Sequence, residues 1–392
     1  MIRFFFLSAL LCLSVASPAH AVEVNAKQAY VVDFDTGQVL YEKNAHDRMP
    51  TSSMSKVATM YMVFDALKSG RLALDQGLPV SEKAWRMQGS KMFVPLGESV
   101  KVEDLIRGVI IQSGNDATIV LAEAVAGSEG EFALRMTEKM RNDLGMTESS
   151  FVNASGWPDD NHYSTARDLT LLGVAMVRDF PDYYKYYAEK EFTYNNIKQG
   201  NRNPLLYRSM GVDGIKTGHT EAAGYGLMAS GVRDGRRVVM TLNGMESMQV
   251  RADESAKLME WALMSFRNVT LLEQGRAVAQ APVVMGTVTS VPLVPAKDLT
   301  VTVPRMGADN AVSIKAVYNA PLIAPVKAGQ EVGKLVVNVA RMEPIEVPML
   351  AGADVAEQSF FKKLQSKIEF MVFGNQSGVK SAEILNAPVA AQ

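Results

Sequence analysis

The chain of 392 residues is long enough for two domains, and its 47% hydrophobic and 21% charged residues are ordinary for a folded globular protein. A net charge of −2 lacks the basic excess that a nucleic-acid partner would require. The single cysteine, Cys12, lies near the N-terminus, which excludes a disulfide framework, thiol catalysis and a cysteine-built metal site from the rest of the chain.

Residues 1–21 read as a signal peptide. Arg3 gives a short basic start, and Phe4 to Val15 is an apolar run too short to span a bilayer comfortably. Ala19-His20-Ala21 supplies the small residues of a cleavage site, so the mature chain is expected to begin at Val22. Ala29 to Glu42 alternates around Asp35-Thr36-Gly37 and predicts a β-hairpin. Thr51 and Ser52 are good N-cap residues for a helix from Ser53 to Lys68, with Gly70 as its stop. That helix is apolar on most sides, the mark of one buried in a domain centre.

A second helical region, Val102 to Ala126, is interrupted by Ser113-Gly114-Asn115. Glu131–Leu144, Ala166–Arg178 and Glu254–Phe266 predict further helices, and Val238–Asn243 predicts a strand. Strands at both ends with helices between them predict an α/β or α+β domain over residues 22–268. Residues 269–352 carry short strand-like runs such as Leu299–Val303, Val312–Val317 and Lys334–Val339, which predict a small all-β domain. Within 353–375, Phe360, Phe361, Leu364, Ile368, Met371 and Val372 recur at helical spacing among lysines. Such an amphipathic helix suits a membrane interface or a seat on the β domain. The tail, 376–392, is small and polar and is expected to be disordered.

Three short motifs carry the chemistry. Ser-x-x-Lys also begins at Ser359 and Ser377, but only Ser53-Met54-Ser55-Lys56 opens a long apolar helix. There the i, i+3 spacing puts Ser53 and Lys56 on one face. Burial lowers a lysine pKa, so a neutral Lys56 could take the proton of Ser53. Ser113 could relay a proton, and Asn115 could hold a substrate amide. In Lys216-Thr217-Gly218, the cation and the hydroxyl suit a carboxylate, and glycine permits close approach of a substrate backbone. Each motif alone is common; Lys68-Ser69-Gly70 shows how cheaply the last one arises. Their order and their placement in the chain give the signal. No Gly-x-Ser-x-Gly or His-Glu-x-x-His sequence is present, and nothing favours a Ser-His-Asp triad through His219.

With these residues the chain resembles the exported D-alanyl-D-alanine carboxypeptidases of the low-molecular-mass penicillin-binding protein type. Asp33-Phe34-Asp35-Thr36-Gly37, Gln112 to Ala117, Asn201-Arg202-Asn203 and Val212 to Thr220 extend the resemblance. It implies a penicillin-binding/β-lactamase-like transpeptidase domain, a small β domain and a C-terminal amphipathic helix. It implies that Ser53 attacks the bond between the terminal D-alanines of a peptidoglycan pentapeptide, with Lys56 as base and Ser113 and Lys216 as relay and electrostatic groups. Thr217, with Arg251, would bind the terminal carboxylate, and the backbone N–H groups of Ser53 and His219 would form the oxyanion hole. β-Lactams would acylate Ser53, and no metal or other cofactor is called for. The implied location is the periplasm, on the outer face of the inner membrane.

Three alternatives stand beside this reading. A class A β-lactamase would need a Glu-x-x-Leu-Asn motif; Glu148 and Asn153 are a near-miss that lacks the Leu and is one residue too long. A DD-endopeptidase would share all three motifs. A non-catalytic cell-wall binding protein would not need Ser53, Lys56 and Lys216 intact.

Overall fold

The computed structural model describes residues 22–305, 311–340, 342–364 and 378–388. The proposed signal peptide and most of the terminal amphipathic helix lie outside the described residues.

The first domain is built on a five-stranded antiparallel sheet whose strands come from the two ends of the domain. Its order is Val39–Lys43, Gln28–Asp33, Arg236–Met245, Gly224–Arg233 and Val212–Thr220. Alternation along each strand divides the side chains between two faces. Ala29, Val31, Val238, Met240 and Leu242 pack with Leu258, Met259 and Ala262 of the helix Met248–Met264. Tyr30, Val32, Met228 and Val239 turn to the other face, into a large core of helices. Both faces are covered, which explains the nearly unbroken apolar run of Val238 to Leu242. Thr241 faces the helical side, and its hydroxyl accepts a hydrogen bond from Thr170 at 2.9 Å.

At the centre of the helical part lies Lys56–Lys68, buried along nearly its whole length. Helices Asn115–Ala126, Glu129–Leu144 and Ala166–Asp179 surround it. The expected start is corrected here: Ser53 sits in a 3₁₀ turn, Ser52–Ser55, and the α-helix begins at Lys56. Ser52 has φ +49°, a left-handed conformation that α-helix geometry does not accommodate. Neither Thr51 nor Ser52 caps the helix through its side chain; the Thr51 hydroxyl bonds instead to Ser55. Gly70, at φ +72°, follows the C-cap residue Ser69 as expected for a helix stop.

The second domain is all β. Seven strands form one sheet in the order Leu322–Ile323, Ala279–Val284, Ser290–Pro295, Ile345–Ala351, Glu331–Val339, Ala311–Ala320 and Gly378–Pro388. Phe266–Leu272 pairs with Leu299–Pro304 beside it. The domain thus begins a few residues before the expected 269, and isolated bridges carry it past 352, to Val355 and Glu357. The tail is also corrected. Gly378–Pro388 is a strand, paired antiparallel along Ala311–Ala320, and Ala382, Ile384 and Leu385 pack partly buried on the domain core. Among the described residues no helix is long and apolar enough to cross a membrane.

The hairpin turn Asp33–Gln38 clips the two domains together. Asp33 is wholly buried; its carboxylate accepts from Arg236 at 3.0 Å, from Asn268 at 3.1 Å, and from the Thr36 hydroxyl and backbone N–H. The Thr36 hydroxyl lies 2.7 Å from that of Thr302, and the Gln38 amide exchanges hydrogen bonds with the Thr302 backbone. Removing one partner from a buried ion pair strands the other charge. Asp33→Ala is therefore expected to destabilise the protein by about 3–5 kcal/mol, read as a lower urea midpoint; an unchanged midpoint would refute the clip.

Candidate active site

The cleft lies where the 3₁₀ turn, the break between Val102–Ile110 and Asn115–Ala126, and the edge strand Val212–Thr220 meet. It encloses about 480 Å³ and is lined by Ser53, Ser113, Thr217, Gly218, His219 and Arg251 from the sequence reading, and by Ser90, Arg202, Tyr225 and Met248.

Lys56 points its amine from the first residue of the buried helix back toward the turn. Its Nζ lies 2.9 Å from Ser53 Oγ, 2.7 Å from Asn115 Oδ1 and 2.6 Å from the Ser155 carbonyl oxygen. The side chain is fully buried, and this pushes its pKa down to about 7; the Arg202 charge adds to the effect and Asp116 opposes it. Ser53 itself is only partly buried and opens into the cleft.

Ser113 stands at φ +58° in the interhelical break. Gly114 follows in a tight place, where a Cβ would meet the Asp116 carboxylate at 2.9 Å and the Met92 nitrogen at 3.0 Å. That carboxylate accepts from the backbone N–H groups of Met92, Phe93 and Val94, fixing the loop over the site. Ser113 Oγ accepts from Lys216 Nζ at 3.0 Å. Burial first, then the charges of Lys56, Arg202 and Arg251, hold the Lys216 pKa well below the ordinary lysine value.

Two expectations shift in detail. Asn115 spends its amide inside the protein: Oδ1 on Lys56, and Nδ2 donating to the Gln88 carbonyl at 2.7 Å. The space that Gly218 saves is toward the turn that carries Ser53, since a Cβ there would stand 2.9 Å from the Thr51 carbonyl oxygen. Glycine at 218 thus lets the edge strand close on the turn that carries Ser53.

Sequence reasoning missed several contributors. Ser155 comes from a loop about 100 residues beyond Lys56 and touches it through its backbone. Asn153 organises that loop: its Oδ1 accepts from the N–H groups of Ser155, Gly156 and Trp157, and its Nδ2 donates to the Trp157 carbonyl. Gly156, at φ +76°, lies so close to the Ser52 carbonyl that no Cβ fits. Arg202 donates to Ser90 Oγ at 2.8 Å and lines the cleft. Only the segment Asn201-Arg202-Asn203 had marked it.

The competing schemes find no matching geometry. Glu148 pairs with His46 at 2.7 Å on the exposed side of the loop. His219 stacks its ring on Tyr225. His162 hydrogen-bonds Ser55, which is fully buried behind the turn, not Ser53.

Comparison with known proteins identifies the family and the fold. Residues 14–246 match the family described as D-alanyl-D-alanine carboxypeptidase, and 266–357 match the C-terminal domain of penicillin-binding protein 5. The D-alanyl-D-alanine carboxypeptidase DacA of Escherichia coli K12 is 35% identical, over 93% of this chain and 95% of its own. The crystal structure of penicillin-binding protein 5 from Haemophilus influenzae superposes with a TM-score of 0.80 at 35% identity, covering 86% of this chain and all of that one. Penicillin-binding protein D2 of Listeria monocytogenes, solved in an ampicillin-bound form, is 29% identical with a TM-score of 0.57, over 62% of this chain and 98% of its own.

Glu148→Gln is expected to leave turnover within about twofold, because exposed pairs contribute little. Asn153→Ala strands three N–H groups and should cost about 1–3 kcal/mol in thermal unfolding.

Proposed function

The chain belongs to the D-alanyl-D-alanine carboxypeptidase family, and on that premise we propose how its residues divide the reaction. The protein is a serine-type D-Ala-D-Ala carboxypeptidase. Ser53 is its nucleophile and Lys56 the base. The observation that carries this assignment is the set of three oxygens around Lys56 Nζ. A neutral amine has two N–H donors and one lone pair. The Asn115 and Ser155 oxygens can only accept, so they engage both donors. The lone pair is left for the Ser53 hydroxyl proton, and burial lowers the amine's pKa to about 7, so that a large fraction of it is neutral near neutral pH.

Ser53 Oγ attacks the carbonyl carbon between the two terminal D-alanines and passes its proton to Lys56. The backbone N–H groups of Ser53 and His219 hold the oxyanion. Lys216 donates to Ser113 Oγ, which leaves the Ser113 proton free to move to the departing nitrogen while Lys56 restores it. The C–N bond breaks, D-alanine leaves, and water then cleaves the ester to release the shortened peptide and Ser53. Thr217 and Arg251 receive the terminal carboxylate. Arg251 and Arg202 place two guanidinium charges in one cleft, which suits a free C-terminal carboxylate better than the internal bond of an endopeptidase substrate.

β-Lactams acylate the same serine, a reading supported by the ampicillin-bound form of the Listeria relative. Residues 1–21 direct export, and the terminal amphipathic segment rests on the outer face of the inner membrane. Phe360 and Phe361, 75% and 83% exposed on the helical turn that opens this segment, support that contact.

Purified enzyme should release D-alanine from diacetyl-Lys-D-Ala-D-Ala and gain the mass of one penicillin. Ser53→Ala should abolish both; retained release would refute the nucleophile. Lys56 is neutral above about pH 7 and charged below it, so kcat/KM should fall about tenfold per pH unit below that point. A profile flat down to pH 5 would remove Lys56 as the base.

A further inference from the structure

We propose that Tyr225 is a positioning residue that aims Arg251 at the substrate's terminal carboxylate and so sets the preference for a free C-terminus. The inference rests on the carboxypeptidase reading above, and concerns what holds Arg251 in place.

Arg251 sits in a place that repels it. It lies in the first turns of the helix Met248–Met264, just past the N-cap Ser247, where the helix presents its positive end. The residue is 7% exposed, and the positive charge of Arg202 shares its surroundings. Its Nε has no hydrogen-bond partner among the described residues. Burial, helix end and a like charge all disfavour a cation here.

The attractive contact is aromatic. The Tyr225 ring centroid lies 5.6 Å from Arg251 Cζ, within cation–π range. Tyr225 is in turn fixed by the strand beside it. It is the direct cross-strand partner of His219 in the pair Val212–Thr220 and Gly224–Arg233. The two rings stack with centroids 3.9 Å apart and an interplanar angle of 29°. A stack therefore runs from the strand that bears Lys216 and Thr217, through His219 and Tyr225, to Arg251, and all three stacked side chains line the cleft. Through it the position of the guanidinium is tied to the strand that receives the carboxylate. A planar, delocalised cation suits such a platform better than a lysine ammonium.

The test compares diacetyl-Lys-D-Ala-D-Ala with its C-terminal amide. Tyr225→Leu keeps the bulk and removes the ring. It should raise KM for the acid on the order of tenfold, with kcat and the kinetics of the amide little changed, because a contact made equally in ground and transition states appears in KM. Tyr225→Phe keeps the ring and should behave as the unsubstituted enzyme. Tyr225→Leu added to Arg251→Ala should produce no further loss, since the ring acts through the guanidinium. Should the leucine variant fail to fold, by thermal unfolding and by loss of the penicillin adduct, Tyr225→Met carries the same test. Equal effects on acid and amide, a fall in kcat at unchanged KM, or full additivity with Arg251→Ala would overturn the role of Tyr225. Absence of D-alanine release by the unsubstituted enzyme would instead overturn the reaction, and the proposal with it.

Discussion

Everything in the first domain serves the burial of one amine. An ammonium group taken out of water loses far more than it regains from ordinary packing, so a lysine at such a depth is pushed toward its neutral form. Lys56 is held there by the two acceptor oxygens of Asn115 and Ser155, and its helix is sheathed by three others. The size of the helical core is what makes that depth possible.

The sheet supplies the other wall. Its edge strand bears Lys216, Thr217 and His219 on one short run, and Gly218 permits that run to close against the Ser52–Ser55 turn. Gly226, opposite Gly218 in the neighbouring strand, has Met54 and Asn243 where a side chain would stand. Reactive groups from the turn, the interhelical break and the strand thus meet because small residues remove what would separate them. The buried Asp33–Arg236 pair holds the far end of the same sheet and fastens it to the β domain.

Much of this was legible in the sequence, and for identifiable reasons. The helix at Lys56 declared itself because burial on most sides leaves it apolar from Met60 to Phe64. Ser53, Lys56, Ser113 and Lys216 were legible because short motifs record them, and the strands of the β domain because their apolar residues recur. Contacts made through the backbone or across long separations were not legible. Ser155 contributes only its carbonyl, and any residue has one. Gly224–Arg233 was not identified as a strand, and the glycine at 226, which leaves room for Met54 and Asn243, gives no strand signal of its own. Tyr225 lines the cleft through its position across from His219, which no local pattern encodes. The tail strand escaped notice because its pairing partner, Ala311–Ala320, precedes it by some 60 residues and nothing in the tail itself forms a hairpin.

The topology of the five-stranded sheet also governs when the protein can exist as a folded body. Gln28–Asp33 is among the first segments made, yet its central partner is Arg236–Met245. Until some two hundred further residues have been synthesised, the first hairpin has no strand to lie against, and the core of helices has no floor. Closure of so long a loop is slow and comes late. A nascent chain of this design is therefore kept from premature collapse into its final shape by connectivity alone. Folding of the first domain is thereby tied to completion of its last strands.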